Sequence, residues 1–375
     1  MLDSIQEGAV PMLYYWFYWL SIVVVFLFAW NENKRISSKS VSRWKTFLFI
    51  VFFILFAVTY MIGRDYFQYR YHVFNPPVWI GYSSGQEIIY QYLYVLCYNH
   101  YSVFRLIVWG GAILLVALSA KLSRLSVYHV LFFWFFFFCD KSCYARATLG
   151  MAVFFLGFVL CLERKHPLNN VLGLVIALLS VLFHRSMLIL IALIPITFIR
   201  INRKNVIPFS LAFFIVSLIV FSIIGLDGDS LSSFIDEGGI DRLQTYDELI
   251  ATGEGSWENL SKMGLIMTFI SNLFFCFLFI WESRYYLSKK QGVDSLLFNR
   301  LYVFVLVIIL VAISFLFLYG VNNPFFYRCL YMSHIPLSLC FVNMCKNQTV
   351  SNRAYHFSLL YALFLHSILF VDAFV

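Results

Sequence analysis

The chain has 375 residues, of which 62% are hydrophobic, 20% aromatic and 12% charged, whereas about a quarter of a soluble globular domain is charged, so a soluble fold is excluded. A transmembrane barrel is excluded too, because its strands alternate apolar and polar positions while Ile50 to Tyr60 and Leu131 to Phe138 are apolar on every face. The formal charge of +8 has to be read by position before it implies nucleic acid.

Met1 to Pro11 carries Asp3 and Glu7 and no basic residue, so it lacks the positive region of a cleaved signal peptide, and the first helix is expected to stay. Apolar spans are predicted near 12–30, 44–62, 101–120, 126–139, 146–162, 168–183, 186–200, 206–225, 263–282, 298–320, 326–343 and 355–373. Most approach the roughly 20 residues that cross a hydrocarbon core as a helix. The expected fold class is an all-α polytopic membrane protein with about 12 transmembrane helices in a single integral membrane domain, 1–375.

With the amino terminus outside, the inner connections 31–45, 121–126, 163–167, 200–205, 283–300 and 344–354 hold 18 of the 27 Lys and Arg. Against these stand the acids Glu32, Glu163 and Asp294, with Glu282 at the edge of one connection. That asymmetry is the positive-inside signature and places both termini outside. It also accounts for much of the net charge, so nucleic acid is not expected as a partner. Most of the eight cysteines lie inside apolar runs without paired spacing, so neither a metal framework nor a disulfide framework is expected.

Two outer segments are long. Segment 63–100 opens on Gly63-Arg64-Asp65-Tyr66, turns at Asn75-Pro76-Pro77 and ends in a stretch where Ile88, Ile89, Tyr92, Leu93 and Leu96 share one helical face. That face predicts a helix at the interface or dipping into the bilayer. Segment 226–262 holds nine acids against Arg242 and Lys262 and is expected to be a solvated cover over the outer face.

Six arginines on the outer side need a reason: Arg64, Arg70, Arg105, Arg146, Arg185 and Arg328. The orientation bias works against them, and a cation near the membrane interior usually faces a wet cavity or a partner. The plain alternative pairs Arg64 with Asp65 or Glu87 and lets the others snorkel to lipid phosphates. Arg146 fits that alternative poorly, because Ala145 precedes it and Ala147, Thr148, Leu149 and Gly150 follow. Small neighbours admit another group at a helix start, where the dipole attracts an anion.

Arginine forks from several helices can hold a diphosphate without a metal. His184, beside Arg185 at a turn between two helices, can serve as a proton carrier. Asp65 and Glu87 are rival bases. The outer tyrosines suit either an interfacial belt or stacking on sugars.

The order of these features resembles the EpsG-like branch of Wzy-type polysaccharide polymerases from about residue 60 to 335. The resemblance is carried by Arg64-Asp65-Tyr66 with Tyr69, Gly85 and Glu87, Arg146 opening a helix, Phe183-His184 with Ser186, and Arg328 with Tyr331. It implies a bacterial inner-membrane glycosyltransferase similar to the metal-free GT-C type, joining lipid-linked oligosaccharide repeat units on the periplasmic face.

Its donor and acceptor would both be linked to undecaprenyl diphosphate, amid membrane lipids, with a chain-length regulator protein as a further partner and no cofactor. On this reading Arg64, Arg146, Arg185 and Arg328 contact the diphosphate, Asp65, Glu87 or His184 is the base, and Tyr66, Tyr69 and Tyr331 meet the glycan. A glycan ligase of the O-antigen type and a lipid-linked oligosaccharide flippase are the alternatives.

Overall fold

The computed structural model describes residues 12–36, 41–60, 66–78, 80, 87–138, 145–162, 167–202, 204–223, 295–319 and 324–346, with positions 356, 359, 360 and 363. Among these the chain is helical throughout, with no strand. The expected span 263–282 and the acidic segment 226–262 lie outside the described residues.

The helices are α1 (Met12–Ile36), α2 (Arg43–Tyr60), α3 (Tyr66–Phe74), α4 (Ile88–Leu96), α5 (Tyr101–Arg105), α6 (Gly111–Leu122), α7 (Val127–Phe133), α8 (Ala145–Leu162), α9 (Pro167–Leu179), α10 (Met187–Leu193), α11 (Val206–Ile223), α12 (Ser295–Tyr319) and α13 (Pro324–Lys346). A π-helical turn at Leu106–Gly110 joins α5 to α6, so the expected span 101–120 is one continuous rod. Among the described residues, Tyr101–Leu122 and Phe298–Leu318 are long and apolar enough to cross a membrane. Trp16–Phe28, Val127–Phe136, Arg146–Leu162, Leu168–Leu182, Met187–Phe198 and Val206–Ser222 are shorter apolar helices.

Local chemistry sets several starts. Ser126 caps α7 by accepting from the His129 amide, and Asn202 accepts from the amides of Lys204 and Asn205 just before α11. Such oxygens satisfy the N–H groups that a helix start leaves without partners. Pro167 and Pro324 open α9 and α13, where a missing N–H costs nothing.

Helix α12 is the axis of the packing. Its residues 301–312 are buried on every side, as expected for a helix apolar around its whole circumference. It packs against α13 and α11, and α8 packs against α9 and α6. Helices α8 and α9 meet through glycine, where a side chain on Gly157 would stand 2.4 Å from the Ala177 nitrogen and 2.5 Å from the Gly173 carbonyl oxygen. Small residues permit this backbone approach between membrane helices. The outward faces of α9 and α11 remain apolar, with Val171 and Leu211 both exposed.

The segment after α2 is built on Phe104, which is 1% exposed. Tyr69 of α3, Tyr90 and Tyr94 of α4 and Tyr101 of α5 have ring centroids 5.3 to 6.2 Å from it. Arg105 donates to the Ala57 carbonyl at 2.9 Å. Ala57 lies in the last turn of α2, whose carbonyls have no partner within the helix, so this arginine caps a helix end. Of the expected apolar face of α4, Tyr92 and Leu96 are exposed while Leu93 packs against the core, and Tyr90, Gln91 and Tyr94 are buried against the protein.

Candidate functional site

Arg146 lies in the first turn of α8 and is 9% exposed. Its Nε donates to the Tyr69 hydroxyl at 3.1 Å, and one terminal nitrogen donates to Glu87 Oε2 at 3.0 Å. Glu87 is the residue that caps α4, yet its carboxylate makes no bond to that helix's own amides. The carboxylate points to α8 instead, forming an ion pair whose side chains are 11% and 10% exposed. At that burial an ion pair is held by geometry and hydrogen bonds as much as by charge.

Tyr90 completes the junction from the other side. Its hydroxyl donates to the Arg146 carbonyl at 3.2 Å, and the side chain is fully buried. Burial, with Tyr69 and Glu87 nearby, pushes the Tyr90 phenol well above its ordinary value, so it stays a donor. The α4 segment is thereby fixed to α8 at both the backbone and the side chain of one residue.

Two further elements converge on the same end of α8. The Thr148 and Tyr331 hydroxyls are hydrogen-bonded to each other, which brings α13 to the first turn of α8, and His334 meets the Tyr331 ring edge-on at 5.2 Å. Gly150, one turn beyond Arg146, accommodates the turn between α9 and α10. A side chain there would start 3.1 Å from His184 Cβ and 3.5 Å from Phe183 Cβ. The small residue after Arg146 therefore admits a specific neighbour, His184.

His184 Nδ1 is engaged by Ser186, with the backbone amide at 3.2 Å and the hydroxyl at 2.5 Å. Arg185 beside it is half-buried, and its carbonyl accepts the Leu188 amide in α10.

Of the residues singled out from the sequence, the structure brings Tyr69, Glu87, Arg146, His184 and Tyr331 to one end of α8. Arg64 and Asp65 lie outside the described residues, and for Tyr66 and Arg328 only the helical backbone is described. Arg328 stands three residues before Tyr331 in α13, and so on the same side of that helix. No individual role for Tyr90 was legible in the sequence. Its signal was the four-residue spacing to Tyr94, which puts both rings on the buried face of α4.

The arrangement offers a guanidinium at a helix start, where unpaired amides add positive potential, together with a carboxylate, an imidazole and phenols. A guanidinium has five N–H donors. Among the described residues Tyr69 and Glu87 take two of Arg146's donors, so capacity for acceptor oxygens remains.

A model of the EpsG family matches residues 42–374, which is nearly the whole chain. No curated protein and no solved structure matches it.

Proposed function

Since the chain belongs to the EpsG family, a Wzy-like polymerase family, and is therefore a membrane protein of polysaccharide biosynthesis, we propose that it polymerises oligosaccharide repeat units. Donor and acceptor are carried on undecaprenyl diphosphate at the periplasmic face of the bacterial inner membrane. The protein is a metal-independent glycosyltransferase that releases undecaprenyl diphosphate.

The acceptor hydroxyl attacks the anomeric carbon of the donor's first sugar, and the bond to the diphosphate oxygen breaks. The leaving group keeps the electron pair, so its charge must be held in place, and preorganised donors are usually the largest single contribution to such a reaction. Arg146, Arg185, Arg328 and Arg64 hold that charge. The acceptor's proton passes to Asp65, Glu87 or His184. Tyr66 and Tyr331 meet the glycan, while Tyr69, its hydroxyl on Arg146, acts through the arginine.

The observation that carries this reading is the meeting of four separate chain segments at Arg146, through Glu87, Tyr69, the Thr148 to Tyr331 bond and the His184 turn. A membrane protein gains little stability from so polar a junction, and a phosphate-bearing substrate gives it a use. The test is to incubate purified protein with defined lipid-linked repeat units in the presence of a chelator. A ladder of products still on the carrier supports the reading. Capping of lipid A core by a single transfer indicates a ligase, and movement of lipid across vesicles without new bonds indicates a flippase; either result overturns it.

A further inference from the structure

The Arg146 centre lies well below the ends of the helices beside it. Helix α12 ends at Tyr319 and α13 starts at Pro324, and because the two pack together those ends share a level. Tyr331, which is bonded to Thr148, is about 10 Å along α13 from Pro324 at the usual helical rise of about 1.5 Å per residue. The same depth follows through α8. The Phe304 ring of α12 meets those of Phe154, Phe155 and Phe158 at 5.8, 5.5 and 4.9 Å, so this part of α8 is level with Phe304. Phe304 stands about 22 Å below Tyr319, and Thr148 rises about 12 Å from those phenylalanines, which again leaves Thr148 about 10 Å beneath the end of α12.

Phe298–Leu318 is long and apolar enough to cross a membrane, and its length matches a hydrocarbon core of about 30 Å. The centre is thus submerged in that core, where a charge needs water or a partner. One wall of the molecule is short enough to bring water down to it. The turn between α9 and α10 sits against Gly150, where an added side chain would meet His184 Cβ at 3.1 Å and Met187 Cγ at 3.5 Å, so the crest of this hairpin is level with the start of α8. The apolar stretch Met187–Phe198 joins seven α-helical residues to five in 3₁₀ form and rises only about 20 Å. Leu168–Leu182 rises about 24 Å.

Val171, Val175, Leu178, Leu182 and Leu188 are exposed along this hairpin, so it meets lipid directly. An apolar wall shorter than the bilayer core thins the bilayer beside it. Helix α11 also meets lipid, through Leu211 and Ile219, but its 18 residues rise about 27 Å.

We infer that the α9–α10 hairpin is the side on which a polyprenyl diphosphate lipid enters: the membrane thins along it, the diphosphate descends to the level of Arg146, and the prenyl chain stays among the lipid-facing side chains of the hairpin. The choice of lipid rests on the polymerase reading of the site. Arg185 places a cation at the crest over which the diphosphate passes. Arg146, whose five donors exceed those given to Tyr69 and Glu87, receives it.

Depth can be measured without turnover. A nitroxide on a genetically encoded side chain, placed singly at Leu188, Leu178 or Phe317, reports its depth through collisions with dissolved oxygen and with a water-soluble nickel complex. All three positions are exposed to lipid. In a flat bilayer Leu188, about 10 Å or more below the end of α12, reads deep. In a thinned one it reads as shallow as Phe317, while Leu178 stays deep. A shallow Leu188 supports the inference, and a deep one overturns it.

Photocrosslinking tests the occupant. A benzophenone side chain placed at Leu188, with the protein in bilayers containing radiolabelled sugar-free polyprenyl diphosphate, should give several-fold more adduct than one placed at Ile219 on α11. Unlabelled polyprenyl diphosphate should abolish the adduct and polyprenol should not. Equal labelling at the two positions, or equal competition by polyprenol, overturns the entry side. A parent that makes a ladder while Leu188 reads deep removes the entry side alone. Shallow depth and diphosphate-specific labelling at Leu188, in a parent that makes no ladder, support the entry side and overturn only the polymerase reading.

Discussion

Arg146 and Glu87 are 59 residues apart in the chain and 3.0 Å apart in the fold. Each is about one-tenth exposed, so removing either strands the other's charge in a poorly hydrated place. Loss of one partner from a buried pair costs about 3–5 kcal/mol. The stability order should therefore be parent, then Glu87→Gln, then Glu87→Ala, because the glutamine oxygen still accepts from the guanidinium. Thermal unfolding in detergent reads this order, and identical midpoints would mean that the pair contributes nothing to the fold.

Arg146→Lys should keep a cation but lose the fork. A lysine is a point charge on a flexible stem and cannot hold Tyr69 and Glu87 together as a planar guanidinium does. Polymer yield should drop by at least tenfold at unchanged membrane levels, measured by ladder formation from lipid-linked units. Full yield with lysine would show that charge alone suffices.

Tyr69→Phe and Tyr90→Phe should differ in severity although both remove one buried hydroxyl. The Tyr90 hydroxyl meets a neutral carbonyl, so its loss should cost about 1 kcal/mol. The Tyr69 hydroxyl accepts from a charged nitrogen, where a hydrogen bond is worth about 1.5–3 kcal/mol. Midpoints for the two variants test the order directly, and Tyr69→Phe should also lower turnover because it releases Arg146 on one edge.

Alkaline pH should loosen the α4 to α8 junction. Burial raises the Tyr90 phenol above its unfolded value of 10.0, so the folded chain keeps a proton that the unfolded chain releases. This contribution is fully present below pH 10.0 and is lost as pH rises above it. The stability gap between the parent and Tyr90→Phe should therefore narrow from pH 10.0 upward, as followed by unfolding midpoints across that range. A constant gap would count against the raised phenol.

Gly157→Ala should destabilise strongly, since its new methyl meets backbone atoms at 2.4 and 2.5 Å that can move only if α8 and α9 separate. Overpacking of this kind costs about 1–3 kcal/mol or more. Gly150→Ala meets His184 Cβ at 3.1 Å and should shift that turn by a few tenths of an ångström. A misplacement of about 1 Å can cost about 10²-fold in rate, so Gly150→Ala should slow turnover severalfold while barely changing the midpoint.

Among the described residues the longer helices were legible from apolar runs, and Arg146 was set apart by its small neighbours. What the sequence could not convey was partnership. Arg105 and Arg146 both stand in apolar surroundings, yet one donates to the Ala57 carbonyl and the other to a carboxylate. Those partners lie 48 and 59 residues away, and no local pattern encodes such distances.

The amphipathic stretch after Glu87 was read correctly as periodic. Its exposed positions include Tyr92, Val95 and Leu96, and its buried ones Tyr90, Gln91 and Tyr94, so the apolar side chains are not the ones that pack inward. The histidine was legible as a candidate base, but its pairing with the amide and hydroxyl of Ser186 emerges only in the folded turn.

The bond between Thr148 and Tyr331 spans 183 residues. A ribosome delivers the amino-terminal part first, so the Arg146 junction with Tyr69 and Glu87 can form while α13 is still being made. Tyr331 then arrives as the last of the converging side chains. Assembly of this centre is thus completed late in synthesis, and a nascent or truncated chain lacking α13 should hold its arginine in place yet remain catalytically silent.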